Sequence, residues 1–197
     1  MQYEIVRHTR IERTGFPLTT RISAWHDEPM SDAEDRFRDP LVRVGRFADE
    51  VLVRCPRCAA CATVLARLGA PEYRTDRGDG RRMTRKRLRC LACGLSKDGF
   101  PLTQVIGGPV DPSFRLPLWL QANCCGETLW AYNAGHLDLL ESHVAARLRE
   151  RGPVPGSMSM VERLPAWLKS AKNRDEVLRA IRRLRSSLPA VRQCIRK

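Results

Sequence analysis

The sequence predicts an α+β fold: a small antiparallel β-ribbon stapled by a metal, a β-hairpin, and a C-terminal set of three or so α-helices. Three observations carry this. Two Cys-x2-Cys pairs, Cys55-Pro56-Arg57-Cys58 and Cys90-Leu91-Ala92-Cys93, each follow a segment suited to a strand. Two apolar, aromatic-rich runs come next, separated by turn residues. Beyond Asn133 the apolar residues recur at helical spacing.

Residues 1–46 mix charges with Pro17, Pro29 and Pro40 and sustain no period of 3.6 or 2, which predicts a polar, poorly ordered arm. Within it Ser31-Asp32-Ala33-Glu34 has the spacing of a capping box and predicts a short helix over roughly 32–38, before Pro40. His8 and His26 lie in this polar context and read as solvated rather than as ligands.

Residues 47–107 form the second region. Glu50-Val51-Leu52-Val53-Arg54 is a β-rich run leading into the first cysteine pair, and Ala62-Thr63-Val64-Leu65-Ala66 is the return strand. Gly69 to Arg82 carries Pro71, Gly78 and Gly80 and predicts a loop. Met83 to Arg89 predicts a further strand, and Gly94 follows the last cysteine where a left-handed residue suits a tight turn. Strand, knuckle, strand, loop, strand, knuckle is the order of a zinc ribbon.

Residues 108–197 are the third region, entered through Gly107-Gly108-Pro109 and Asp111-Pro112. The runs Phe114 to Gln121 and Glu127 to Tyr132 predict a hairpin around Asn123-Cys124-Cys125-Gly126. Trp119, Trp130 and Tyr132 suit either a core or base stacking, with the core favoured beside amphipathic helices. Asn133 caps a predicted helix to about Arg149, with Leu137, Leu140, Val144 and Leu148 on one face. Gly152-Pro153-Val154-Pro155-Gly156 ends it. Ser159-Met160-Val161-Glu162 opens another helix, which Pro165 kinks or restarts, and Asn173-Arg174-Asp175-Glu176 opens the last. There Val177, Leu178, Ile181, Leu184 and Leu188 form an apolar stripe opposite Arg179, Arg182, Arg183 and Arg185.

Thiolates with two residues between them can turn inward from one knuckle, and two knuckles supply the tetrahedral sulfur set that Zn2+ prefers. Cys55, Cys58, Cys90 and Cys93 are therefore the expected ligands of one structural zinc, with no position open to water. Cys61, separated from Cys58 by two residues, is a competing ligand. Cys124 and Cys125 suit a turn or a buried apolar role, or a second site with His136 or His143. A thiol-redox enzyme is a third reading, and it needs an exposed low-pKa thiolate.

The formal charge of +13 is unevenly placed: net zero over 1–47, +6 over 48–107, −1 over 108–156 and +8 over 157–197. Such a surface attracts polyanions. Arg74, Arg77, Arg81, Arg82, Arg85, Lys86 and Arg87, with Arg89, crowd the ribbon loop and the strand after it, and Arg182, Arg183 and Arg185 line the last helix. Arginine's planar fork matches phosphate oxygens. The alternative is a loop kept soluble by charge, in a chain with thirty arginines to five lysines.

Over residues 47–100 the chain resembles a zinc ribbon of the transcription-factor IIB type. With Leu116 to Gln121, Cys124-Cys125-Gly126, Leu129 to Asn133 and Ala171 to Arg174, the stretch 47–188 resembles bacterial proteins known only for containing such a ribbon. The resemblance implies the fold, the metal, and contact with a polymerase or nucleic acid. The long ribbon loop departs from compact ribbons.

No nucleophile elbow, phosphate-binding glycine loop or His-Glu-x-x-His occurs, which predicts a non-enzymatic protein. No apolar run approaches the ~20 residues of a membrane span. The opening Met1-Gln2-Tyr3-Glu4 lacks the regions of a signal peptide, and paired Cys-x2-Cys spacing suits a reducing compartment, so a cytoplasmic location is expected. The expected role is nucleic-acid binding, DNA or RNA, through the ribbon loop and last helix; the alternative is an adaptor docking a transcription or ribosomal component.

Overall fold

The computed structural model describes residues 36–66, 73–74, 82–100, 107–150 and 159–189, and these form an α+β fold. Strand β1 (Arg36–Arg38) is followed by a 3-10 turn at Val44–Phe47. The ribbon is one antiparallel sheet in the order β2 (Glu50–Arg54), β3 (Cys61–Ala66), β6 (Lys86–Arg89) and β7 (Ser96–Gly99). Between β3 and β6, β4 (Tyr73–Arg74) pairs with β5 (Arg82–Met83), so the strand expected over 83–89 is divided at Thr84-Arg85. The register sets Val51 opposite Val64 and Val64 opposite Leu88, which places all three on one buried face. Strand β7 is polar and mostly exposed, and its ladder to β6 forms without any apolar alternation.

Asp111 organises the segment that leaves the ribbon. Its carboxylate is fully buried and accepts from the backbone N–H groups of Ser113 (2.8 Å), Phe114 (3.0 Å) and Leu116 (3.0 Å). A buried charge is tolerated where several donors satisfy it. The turn it fixes returns Pro117-Leu118-Trp119 alongside β2: Arg54 N–H donates to Pro117, Trp119 N–H to Leu52, and Leu52 N–H to Tyr132.

The hairpin is β8 (Leu120–Cys124) and β9 (Glu127–Ala131), shorter at its start than the run from Phe114 implies because residues 111–116 are spent on the Asp111 turn. Helix α1 (Ala134–Ala145) has the expected cap, with Asn133 Oδ1 accepting from His136 N–H at 2.9 Å. It stops short of Arg149, and Leu148–Glu150 forms β10 instead. Parallel pairing of β10 with β1 replaces the helix expected over 32–38 across the part described, residues 36–38. Phe37 turns inward against His143, ring centroids 5.0 Å apart, while Arg36 pairs with Glu150 at 2.6 Å. These tertiary contacts outweigh a local capping signal, which is worth only ~1 kcal/mol. Residues 1–35 lie outside the described residues.

Ser159 and Glu162 form their reciprocal capping bonds, but these open only the 3-10 turn Val161–Arg163. Pro165 precedes α2 (Ala166–Lys169), and α3 (Arg174–Ser186) closes the described fold. Asn173 does not cap α3 with its side chain, which donates to the Trp167 carbonyl instead.

Two clusters of buried residues result. Leu52, Leu120, Leu129, Leu137, Leu140, Val177 and Ile181 belong to the first; Val51, Val53, Val64, Leu88, Leu118 and Tyr132 belong to the second. Tyr132 is fully buried, and Trp130 packs at the edge of the second cluster. Trp119 packs against the first and donates its indole N–H to Ser187.

Both helix histidines are buried. His136 accepts from Tyr132 N–H and stacks on Phe47 at 4.8 Å; among the described residues neither ring nitrogen of His143 has a hydrogen-bond partner. Burial pushes His136 down to about 4, and burial with nearby Arg149 and Lys169 does the same to His143 despite Asp39. The unfolded chain takes up these protons near pH 6.5 and the folded chain does not, so stability is full above about pH 6.5 and declines as pH falls toward 4. The urea midpoint is expected to be lower at pH 5.5 than at pH 7.5, and the drop to shrink in His143→Leu; an equal drop in the variant would remove this imidazole as a cause.

Candidate metal centre

The two knuckles are copies of one local structure. In the first, Cys55 N–H donates to Ala60, Ala59 N–H donates to Cys55, and Ala59 has φ 58°. In the second, Cys90 N–H donates to Leu95, Gly94 N–H donates to Cys90, and Gly94 has φ 71°. Each knuckle joins two paired strands, β2 to β3 and β6 to β7, and the β3–β6 ladder sets the knuckles side by side.

Four sulfurs converge there. Cys55 Sγ lies 3.7 Å from Cys93 Sγ, Cys58 Sγ lies 3.6 Å from Cys90 Sγ, and all four lie within 4.8 Å of one another. A tetrahedron with Zn–S bonds of about 2.3 Å has edges of about 3.8 Å. The thiols therefore fit the set that would hold a metal ion.

Cys55 and Cys90 are buried, Cys93 is half-buried and Cys58 is exposed, so the centre sits at the end of the second core cluster. Arg57 N–H points at Cys55 Sγ at 3.4 Å. Although burial opposes it, this donor and the Cys58 backbone bring Cys55 down to about 7. Cys58 is raised to about 12: the Ala60 backbone favours its thiolate, but burial and the other thiols outweigh that donor. Four thiols this close cannot all ionise together without a cation among them.

Cys61 stands apart from this cluster. It starts β3 opposite Arg54 of β2, packs against the first core cluster, and is pushed up to about 11 by burial and the nearby Cys90. Cys124 and Cys125 meet neither His136 nor His143; their neighbour is Glu176 on α3, which the sequence did not offer as a partner because it lies fifty-one residues from Cys125.

The basic positions divide. Lys86 is largely buried and donates to the Ala48 carbonyl at 2.9 Å, and burial lowers its pKa. Arg87 grips Asp98 through two bonds, of 2.6 and 3.0 Å. Arg185 bridges Asp138 and Glu141 on α1. Arg85 lies over the Phe100 ring. Arg182 and Arg183 are exposed on α3. Arg74 and Arg82 are backbone register partners in the β4–β5 pair, and Arg77 and Arg81 lie outside the described residues.

No family model, curated protein or solved structure matches the chain. Among the described residues no helix is long and apolar enough to cross a membrane.

Cys58→Ser or Cys90→Ser is expected to remove the equivalent of metal held by the ribbon and to lower the melting temperature by ten degrees or more, measured by elemental analysis and calorimetry. Full metal retention in Cys90→Ser would overturn the assignment. Ala59 bears a left-handed conformation that costs a non-glycine residue roughly 1 kcal/mol, so Ala59→Gly is expected to stabilise the metal-bound chain by about 0.5–1 kcal/mol in urea unfolding.

Proposed function

We propose that this is a non-enzymatic zinc-ribbon protein that binds nucleic acid. The ion is zinc, one per ribbon, held by Cys55, Cys58, Cys90 and Cys93 in a structural role, since a complete sulfur set leaves no position for substrate or water. The observation that carries the binding proposal is on α3. Arg179, Arg182 and Arg183, at i, i+3 and i+4, are all exposed on one patch, and none forms an ion pair among the described residues. Three neighbouring guanidinium groups repel one another and cost stability unless an anion offsets them.

The ribbon adds exposed Arg57 at a knuckle tip and exposed Arg89 on β6, together with Arg74, Arg77, Arg81 and Arg82 along the loop. Lys86, Arg87 and Arg185 already have partners within the protein and are assigned to stability. Phosphate contacts release counterions, so affinity falls steeply with salt and carries little sequence preference. The resemblance to transcription-type ribbons supports the same direction.

One observation favours a protein partner as the second reading. Leu91, at the second knuckle's tip, is 71 % exposed. A ribbon tip with an apolar side chain suits docking on a polymerase or ribosomal component.

In gel-shift titrations with DNA and RNA, replacing Arg182 and Arg183 by Ala is expected to weaken binding about tenfold at ~100 mM salt and to flatten the logarithmic salt slope by about 1.8 for a duplex. Arg87→Ala should lower thermal stability and leave the slope unchanged. Absence of binding at low salt would sink the proposal, and partners retained in a pull-down after nuclease treatment would favour the adaptor.

A further inference from the structure

Adjacent residues in a regular strand point to opposite faces, so neighbouring cysteines ordinarily keep their sulfurs apart. Cys124 and Cys125 do not. Cys124 ends β8 and Cys125 starts the two-residue turn, with φ 54° at Cys125 and 78° at Gly126. That turn type favours Asn or Gly at its first position, and a cysteine there sits in an unfavourable conformation. The left-handed backbone brings the two sulfurs to 3.6 Å, the same separation that the ribbon thiols show across their centre.

Glu176 reaches the pair from the first turn of α3. Its Oε1 accepts from Cys125 N–H at 2.7 Å, which anchors the carboxylate, and a carboxylate oxygen lies within 4.8 Å of both sulfurs. Oε2 and the remaining lone pair of Oε1 stay free to ligate. Cys124 is buried beneath the turn, while Cys125 is half-buried and Glu176 exposed, so an ion could enter from solvent.

We infer that Cys124, Cys125 and Glu176 form a second metal site, taking a thiophilic divalent cation such as zinc or cadmium with two sulfurs and one carboxylate oxygen. Three protein ligands leave a fourth tetrahedral position open, unlike the ribbon centre. Binding replaces the two thiol protons, which pass to buffer, and two thiolates with one carboxylate leave the occupied site at a net charge of −1. The site ties the turn of the β8–β9 hairpin to the start of α3, two elements that packing and the Glu176 hydrogen bond to the turn already join.

The test is metal titration of the full-length reduced protein with Zn2+ and with Cd2+, read by equilibrium dialysis and by the ultraviolet sulfur-to-cadmium charge-transfer band. The wild-type chain is expected to bind two equivalents, the second raising the cadmium band by about half of what the first contributes, since it adds two thiolates to four. Glu176→Gln, which keeps an oxygen to accept from Cys125 N–H, should weaken the second equivalent at least tenfold and leave the first intact. Cys125→Ser should remove it. A single equivalent in the wild type, or a second that survives both substitutions, would overturn the inference.

Discussion

The convergence of four thiols is the constraint on which the ribbon depends. Two of them, on Cys55 and Cys90, are built into the second core cluster, so the thiol cluster and the apolar packing of Val53, Ala62 and Leu88 occupy one continuous volume. Without a cation the sulfurs compete for protons at distances near 3.6 Å. With one they become a cross-link between knuckles thirty-five residues apart in sequence, which does for this small sheet what a larger core does elsewhere.

The ribbon is in turn bound to the rest of the protein largely through backbone hydrogen bonds. Strand β2 uses both edges: one pairs with β3, and the other accepts a hydrogen bond from Trp119 N–H and donates to the Pro117 and Tyr132 carbonyls. Asn133 joins the two sides a second time. Its Oδ1 caps α1 while its Nδ2 donates to the carbonyls of Phe47 and Glu50. At the far end of α1, Arg149 donates to the His143, Val144 and Lys169 carbonyls, closing the helix terminus with a permanent charge.

What the sequence disclosed followed from local rules. The cysteine spacing, the Asn133 cap and the stripe of Val177, Ile181 and Leu184 each express a periodicity or a side-chain bond spanning a few residues. What it hid was non-local. No short-range pattern marks Arg36–Arg38 as a partner of Leu148–Glu150, more than a hundred residues away, nor polar β7 as a ribbon edge. The same holds at the sites: the four converging thiols are announced by spacing, whereas Glu176 meets Cys125 only after α3 packs on the hairpin. Charge misled in a third way, because arginine-rich composition does not distinguish Arg87, spent on Asp98, from exposed Arg182.

The position of Leu118 and Tyr132 over the ribbon sheet sets how the chain can be divided. Both are fully buried, and both lie beyond the last ribbon strand in sequence while packing with Val51, Val53, Val64 and Leu88. A segment cut at residue 107 would carry every ribbon cysteine yet leave that apolar face open to water, with one edge of β2 unpaired. The knuckles are thus not a portable finger appended to a helical body. They are one end of a single folding unit whose lid arrives from downstream, and a shuffled or truncated gene would keep the motif while losing the surface that makes it fold.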